Sequence, residues 1–378
     1  MKIKKFIKQF VPPIIINFYN SIQNYNFKKF WKSNKKNFST DHELVRMIDY
    51  FIGSKNYMLV SNYWKYLNIK HLKQLISDGN DINHFSTSVA KNYFTFIDVE
   101  DEMIKNSMDR IKNETSSDSL NLFKKQTNLS YTESIKYNNL VYFLWLNAKK
   151  KKNLDKLNQL SDIGYLSYND PYIEINGAKI SLDKINSIFD YEKLDKFANL
   201  SKQNNILEIG AGSGRTSQSI LTFNNVKYVI CDIPPALYIS YERLKKVFPD
   251  KKIDLVYMEQ DKDKLNTKIN ELDISFIMPD QLNLIRKNFF DLTLAIDCIH
   301  EMDKKTVKKF FSDINQLSKI FCFSVWKKCS LPFSNILTKD HVFDYYQNGY
   351  EVPSNWTKQF EEELDFPSNF IFCGYKIE

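Results

Sequence analysis

Glycine is scarce in this chain, nine residues in 378, so most turns must be made without it. Cysteine is scarcer still, and Cys231, Cys298, Cys322, Cys329 and Cys373 form an odd set with no C-x-x-C spacing. Three of them sit in apolar strand-like runs, which argues against a disulfide framework and for reduced, buried thiols in a cytosolic protein. The five histidines, at 42, 71, 84, 300 and 341, are scattered, and no two have zinc-ligand spacing on one element. No metal site is expected. Neither sign of charge dominates: 53 Lys and Arg face 45 Asp and Glu, a formal +8 that permits an anionic partner without requiring one. No internal repeat and no low-complexity linker stand out. Hydrophobic residues are plentiful at 43%, with 15% aromatics, enough for a sizeable core and against global disorder. A chain of this length is expected to form two domains.

Three of the few glycines fall within five residues, in Ile206-Leu207-Glu208-Ile209-Gly210-Ala211-Gly212-Ser213-Gly214-Arg215-Thr216. An apolar run precedes them and a helix-like stretch follows. A strand–loop–helix joint with this spacing brings bare N–H groups against a ligand, most simply a nucleotide. The dinucleotide fingerprint G-x-G-x-x-G fails, because its third glycine would stand at Arg215 or Ser217. What remains is E-x-G-x-G-x-G. This resembles motif I of the class I S-adenosylmethionine-dependent methyltransferases, whose loop wraps a cationic methionine moiety. A carboxylate such as Glu208 at the strand end suits a sulfonium and an ammonium and would repel phosphate. Asp232 ends a second buried strand, Val226 to Cys231, 24 residues after Glu208. It is placed to accept both ribose hydroxyls, a role it would share with nicotinamide-binding folds.

The two halves differ in pattern. Residues 41 to 165 read as helices: Asp41 can cap a run with Leu44, Met47, Ile48 and Phe51 on one face, and Trp64 to Ile76 and Leu140 to Leu146 repeat the theme. From 166 onward a short hairpin turning at Asn176-Gly177 leads into alternating strands and helices, with strands near 205–209, 226–231, 274–278, 291–296, 319–325 and 369–377. Lys252 to Met258 is ambiguous between helix end and strand. Asp303 caps the clearest helix, with Val307, Phe310, Phe311, Ile314 and Leu317 on its apolar face. This predicts an N-terminal, mainly helical region over 1–165 and a doubly wound α/β domain over 166–378.

Ligands of open α/β sheets bind beyond the carboxyl edge. Collected there are Gly210, Gly212 and Gly214, then Asp232-Ile233, then Asp280 and Gln281, either of which could meet an adenine amino group, and finally Asp297 to Met302. For transfer to a hydroxyl, His300 is the candidate base, with Glu301 to orient it and Asp297 as the alternative base or acceptor ligand.

The motif I string, Asp232-Ile233-Pro234-Pro235-Ala236-Leu237, Pro279-x-Gln281-Leu282 and His300-Glu301-Met302 together resemble the sugar O-methyltransferase family associated with bacterial surface polysaccharides. Asn169-Asp170-Pro171 and Ser181-Leu182-Asp183 also fit, so the likeness spans roughly residues 165 to 330. Ser213 stands where the family pattern has an aromatic, and Cys298 where it has a hydroxyl residue. The resemblance implies a Rossmann-like sheet of seven strands, one antiparallel, with S-adenosylmethionine as cofactor and a sugar hydroxyl, nucleotide- or lipid-linked, as acceptor. Three rivals stand beside it: a nicotinamide-dependent sugar-modifying enzyme, a non-catalytic S-adenosylmethionine-binding scaffold and a nucleic-acid adenine methyltransferase. The last is disfavoured, since its Pro-Pro motif belongs after the fourth strand, and no nucleic-acid partner is expected. The basic, apolar segment Met1 to Ile16 lacks a small-residue cleavage site and is too short to cross a bilayer. A cytoplasmic protein results, with residues 1–30 either docked on their own domain or resting on an anionic membrane face.

Overall fold

The computed structural model describes residues 27–38, 42–77, 126, 129–163, 165, 171–330, 342–363 and 370–378. Residues 1–26, Asp41 and Asn169-Asp170, on which some of the expectations above rest, lie outside them.

Helices α1 (Phe27–Asn34), α2 (Glu43–Gly53), α3 (Asn56–Leu59) and α4 (Asn62–Ser77) come first. In α2 the expected apolar face is buried, but the cap is His42, whose Nδ1 accepts from the Leu44 N–H. Helix α5 (Tyr131–Lys150) opens on a Ser130/Glu133 capping box, in which each side chain takes up a backbone N–H left over at the helix start. Helix α6 (Leu154–Gln159) follows. Strands β1 (Ile173–Ile175) and β2 (Ala178–Ile180) form the hairpin, with Asn176 and Gly177 both at positive φ in its turn. Helix α7 (Leu182–Ala198) starts at a Ser181 cap.

The remaining chain builds the sheet: β3 (Asn205–Ile209), α8 (Arg215–Phe223), β4 (Lys227–Cys231), α9 (Ala236–Val247), β5 (Ile253–Leu255), α10 (Lys262–Glu271), β6 (Ile274–Ile277), β7 (Phe290–Ile296), α11 (Lys304–Leu317), β8 (Ser318–Trp326), the pair β9 (Lys328–Ser330) and β10 (Val342–Asp344), α12 (Tyr345–Asn348), β11 (Trp356–Glu363) and β12 (Phe370–Ile377). Eight strands run in the order β11-β12-β8-β7-β3-β4-β6-β5. Every pairing from β8 to β5 is parallel, and only β12 is reversed, since β11 pairs antiparallel with it and so points with the rest. The architecture is therefore the expected mixed α/β one with a single antiparallel strand, but with eight strands instead of seven. The seventh is β5, the ambiguous segment after Lys252, which pairs at one sheet edge, and the eighth is β11, which none of the expected runs covers. Strand β11 is the other edge, and its sequence hides it: Trp356 is buried and the rest is mostly polar and exposed, as an outer strand tolerates.

Alternation along the strands feeds two layers. Ile206, Tyr228, Phe276 and Leu292 face α7, α8 and α9, while Leu207, Val229, Ile277 and Phe321 face α10 and α11. Each large apolar side chain so buried contributes about 1.5–3 kcal/mol. Helices α1 to α4 are not a separate lobe. Phe27, Trp31, Met47, Phe51 and Leu72 belong to the same apolar cluster as Tyr228 and Phe276. Polar ties lock them over the carboxyl edge: Asn56 and Asp280 exchange two hydrogen bonds of 2.8 and 2.7 Å, Asn68 donates to the Pro234 carbonyl at 2.9 Å, and Thr306 donates to the Leu59 carbonyl at 2.8 Å. Helix α5 and the hairpin pack instead on the outer side of α7. Among the described residues, no helix is long and apolar enough to cross a membrane.

Candidate active site

A cavity opens where the carboxyl ends of β3, β4 and β7 meet the α3–α4 turn. The glycine loop is its floor. Gly210 takes a φ of +69°, and a Cβ there would lie 2.7 Å from Cys298 Cβ, so glycine alone lets the two loops touch. Gly212, at φ +58°, has nothing within 4 Å of where a Cβ would be, and it lines the cavity. The backbone is bare on the side a ligand would approach.

Asp232 closes the next wall. Its carboxylate accepts from the Gly212 N–H at 2.9 Å and from the Ile233 N–H at 2.7 Å, tying the second strand to the glycine loop. Burial pushes its pKa up to about 7, with those two N–H groups holding it back.

Across the cavity, Ile299–Glu301 forms a single 3-10 turn after β7. The His300 ring stacks on Trp326 at 5.1 Å and meets Phe370 edge-on at 6.1 Å. Burial pulls its pKa down to about 3, so the imidazole is neutral near pH 7, and among the described residues its Nδ1 has no hydrogen-bond partner. Glu301 Oε1 stands 3.9 Å from Nε2. The imidazole is neutral and so has a nitrogen lone pair for an acceptor proton, but burial makes it a weak base.

A buried ion triad was not anticipated from the sequence. Arg215 Nη1 lies 2.5 Å from Asp190 Oδ2 and Nη2 lies 3.0 Å from Asp297 Oδ2, joining α7 to the end of β7. Asp297 holds a strained φ of +56°, also accepts from the Ser324 hydroxyl, and has its pKa raised to about 6 by burial against the opposing pull of Arg215. Arg215 and Asp183 also line the cavity. One signal was available: Arg215 is a cation in the first turn of a helix, where the helix dipole disfavours it, so a carboxylate partner was required.

Of the residues expected at the site, Gly210, Gly212, Asp232, Ile233, Asp297, His300 and Glu301 all line this one cavity. Four do not, and each has a physical reason. Glu208 points along the other face of β3, where its Oε2 accepts from the Ser217 and Tyr228 hydroxyls, at 2.5 and 2.8 Å. Burial raises its pKa. It anchors α8 instead of touching a ligand. Gly214 caps α8 and packs against Ser240 and Leu244. Gln281 is wholly buried, donating to the Val256 and Glu259 carbonyls and accepting from the Met278 N–H, and it does not reach the cavity lining. Asp280 is held by Asn56 and Tyr50, so Pro279 is what the third strand's loop offers to the cavity. Trp64, among the aromatics of the helical region, does line the cavity, with Leu59, Val60 and Ser61 beside it.

No family model matches the chain, and no curated protein matches it. Among solved structures it is similar to a protein from Pyrococcus horikoshii OT3, at 17% identity and a TM-score of 0.35 over 50% of this chain and 87% of that one. It is similar as well to a SAM-dependent methyltransferase from Aquifex aeolicus, at 15% identity and a TM-score of 0.34 over 50% of this chain and 90% of that one. A third is the glycopeptide N-methyltransferase MtfA complexed with sinefungin, at 10% identity and a TM-score of 0.34 over 50% of this chain and 85% of that one. Scores this low leave the function to be argued from the geometry of the cavity.

Proposed function

We propose that this chain transfers the methyl group of S-adenosylmethionine to a hydroxyl of a sugar, in the assembly of a bacterial surface glycan. One observation carries the reading. A single cavity joins an open, left-handed glycine and a strand-end carboxylate on one wall to a neutral histidine in an aromatic setting on the other.

The residues present fit the cofactor. Gly210 and Gly212 give it backbone to lie against, and Asp232 offers two carboxylate oxygens to a ribose. Arg215 with Asp183 and Asp297 presents both signs of charge to a zwitterionic amino-acid end. When bound, the cofactor supplies a methyl group already activated on sulfur. The protein then has mainly to orient the acceptor and take its proton. Trp64, Trp326 and Phe370 offer flat apolar faces to a sugar ring. With the methyl donor held against Gly210, Gly212 and Asp232, His300 would take the proton of the acceptor hydroxyl as the cofactor supplied its methyl group.

Calorimetry with S-adenosylhomocysteine and NAD tests the cofactor, with uptake expected of the first and not of the second. Labelled S-adenosylmethionine offered with a panel of glycan precursors tests the acceptor. Uptake of NAD alone, or label appearing only on nitrogen, would overturn the proposal.

A further inference from the structure

The half of the cavity around His300 is mostly apolar, and its parts are fixed to one another. The Thr306 hydroxyl donates to the Leu59 carbonyl at 2.8 Å, which holds the α3–α4 turn against the first turn of α11. Leu59 and Val60 of that turn, Phe310 one turn along α11 from Thr306, and Met302 just after the 3-10 turn all line the cavity. Trp326 and Phe370 complete the wall from β8 and β12, where they stand directly opposite each other. Their rings meet edge-on at 5.9 Å, and both contact the His300 ring.

Polar side chains on this half are few and largely turned to the protein itself. The Thr306 hydroxyl is bonded to Leu59, the Ser61 Oγ accepts from the Trp64 N–H at 3.3 Å, and the two Asp297 oxygens take Arg215 and Ser324. His300 and Glu301, adjacent in one turn, are the other polar residues of this wall. A pyranose ring held here therefore meets two kinds of surface. Its reacting hydroxyl belongs beside His300, and a second can reach Glu301. A hydroxyl set against the apolar side chains gives up its water and receives no hydrogen bond in return. Of a hexose's hydroxyls, the primary alcohol on the exocyclic carbon is carried farthest from the ring. Without that oxygen a methyl group remains, and burying it against such a wall is favourable.

We infer that the acceptor is a 6-deoxyhexose, and that Val60, Met302, Phe310, Trp326 and Phe370 select it over the parent hexose. The inference rests on the methyl-transfer reading and narrows the acceptor from any sugar to one with a methyl group in place of its primary alcohol.

The test offers the full chain labelled S-adenosylmethionine with matched aryl glycosides that differ only at the exocyclic carbon: L-rhamnoside against L-mannoside, D-fucoside against D-galactoside, and D-quinovoside against D-glucoside. S-adenosylhomocysteine uptake is measured alongside by calorimetry. In the pair that is methylated fastest, kcat/KM should favour the deoxy sugar about 10- to 100-fold, the discrimination an apolar pocket makes against one added hydroxyl. Val60→Thr and Met302→Gln put a polar group on the wall at nearly constant side-chain volume. Each should narrow the preference by about threefold or more and leave S-adenosylhomocysteine affinity unchanged. Should neither variant fold, the wild-type ratio decides alone. A wild-type ratio near or below one would overturn the inference and leave the methyl-transfer reading standing, as would a ratio that both folded variants leave where it was. Transfer to none of these sugars with S-adenosylhomocysteine still bound would overturn the inference and the sugar acceptor together. Absence of both transfer and S-adenosylhomocysteine uptake would sink the methyl-transfer reading, and the inference with it.

Discussion

Replacing Arg215 by Met removes the one cation between two buried carboxylates. The side chains of Arg215, Asp190 and Asp297 are only 15, 10 and 26% exposed, so solvent screening is weak. At the 3.0 Å separation from Asp297 and an effective dielectric near 20, the attraction is roughly 5 kcal/mol before desolvation is counted. What the variant loses is set mainly by the two carboxylates left buried against each other, a loss of about 3–5 kcal/mol. Urea unfolding should then show the midpoint falling by about 1–1.7 M, for a slope near 3 kcal/mol per M. The loss carries a pH signature. Without the guanidinium, Asp297, whose pKa burial already raises to about 6 against the pull of Arg215, moves further above the unfolded value of about 3.9. Groups shifted upward contribute stability that is present below the unfolded pKa and lost as pH rises through the folded one. The difference between variant and wild type should therefore be full at pH 8 and shrink toward pH 4. Adding Asp190→Asn and Asp297→Asn should recover most of it. A loss under about 1 kcal/mol, or one that does not change with pH, would refute the triad as a structural clamp.

Three further outcomes are expected. Gln281→Leu strands two buried carbonyls and one N–H, so it should cost about 2–4 kcal/mol of stability and leave S-adenosylhomocysteine affinity within about twofold; a selective loss of affinity would restore Gln281 to the adenine site. Asp232→Asn should weaken S-adenosylhomocysteine binding about tenfold or more, and wild-type affinity should fall as pH drops through about 7, where the carboxylate takes up its proton; calorimetry at pH 6 and 8 reads both. His300→Ala should lower turnover roughly 10²- to 10⁴-fold with cofactor affinity kept, and the wild-type rate should show no inflection at an ordinary histidine pKa, since His300 titrates near 3. Near-normal turnover of that variant would end its role as base.

Much of the fold was legible because hydrophobic period is a local property. The continuous apolar runs of β3, β4 and β6 and the Asp303-capped face of α11 announce themselves in a few residues. Strand β11 did not, because an edge strand buries almost nothing and so carries no apolar signal. The glycine loop was likewise legible, since three glycines within five residues mark a turn at positive φ with bare backbone.

Which way a side chain points is another matter. Glu208 and Asp232 both sit at or next to a strand end, yet one faces α8 and the other the cavity, and only the packing of Ser217 and Tyr228 decides this. Local sequence determined that a glycine loop would join β3 to α8, and which strands would flank it. Tertiary structure alone decided that Arg215 would bridge Asp190 and Asp297, that Gln281 would be spent on backbone, and that Trp64 would be carried from the helical region onto the cavity wall. Those contacts join residues tens to hundreds of positions apart, and their partners are set by long-range packing that no short stretch of chain encodes.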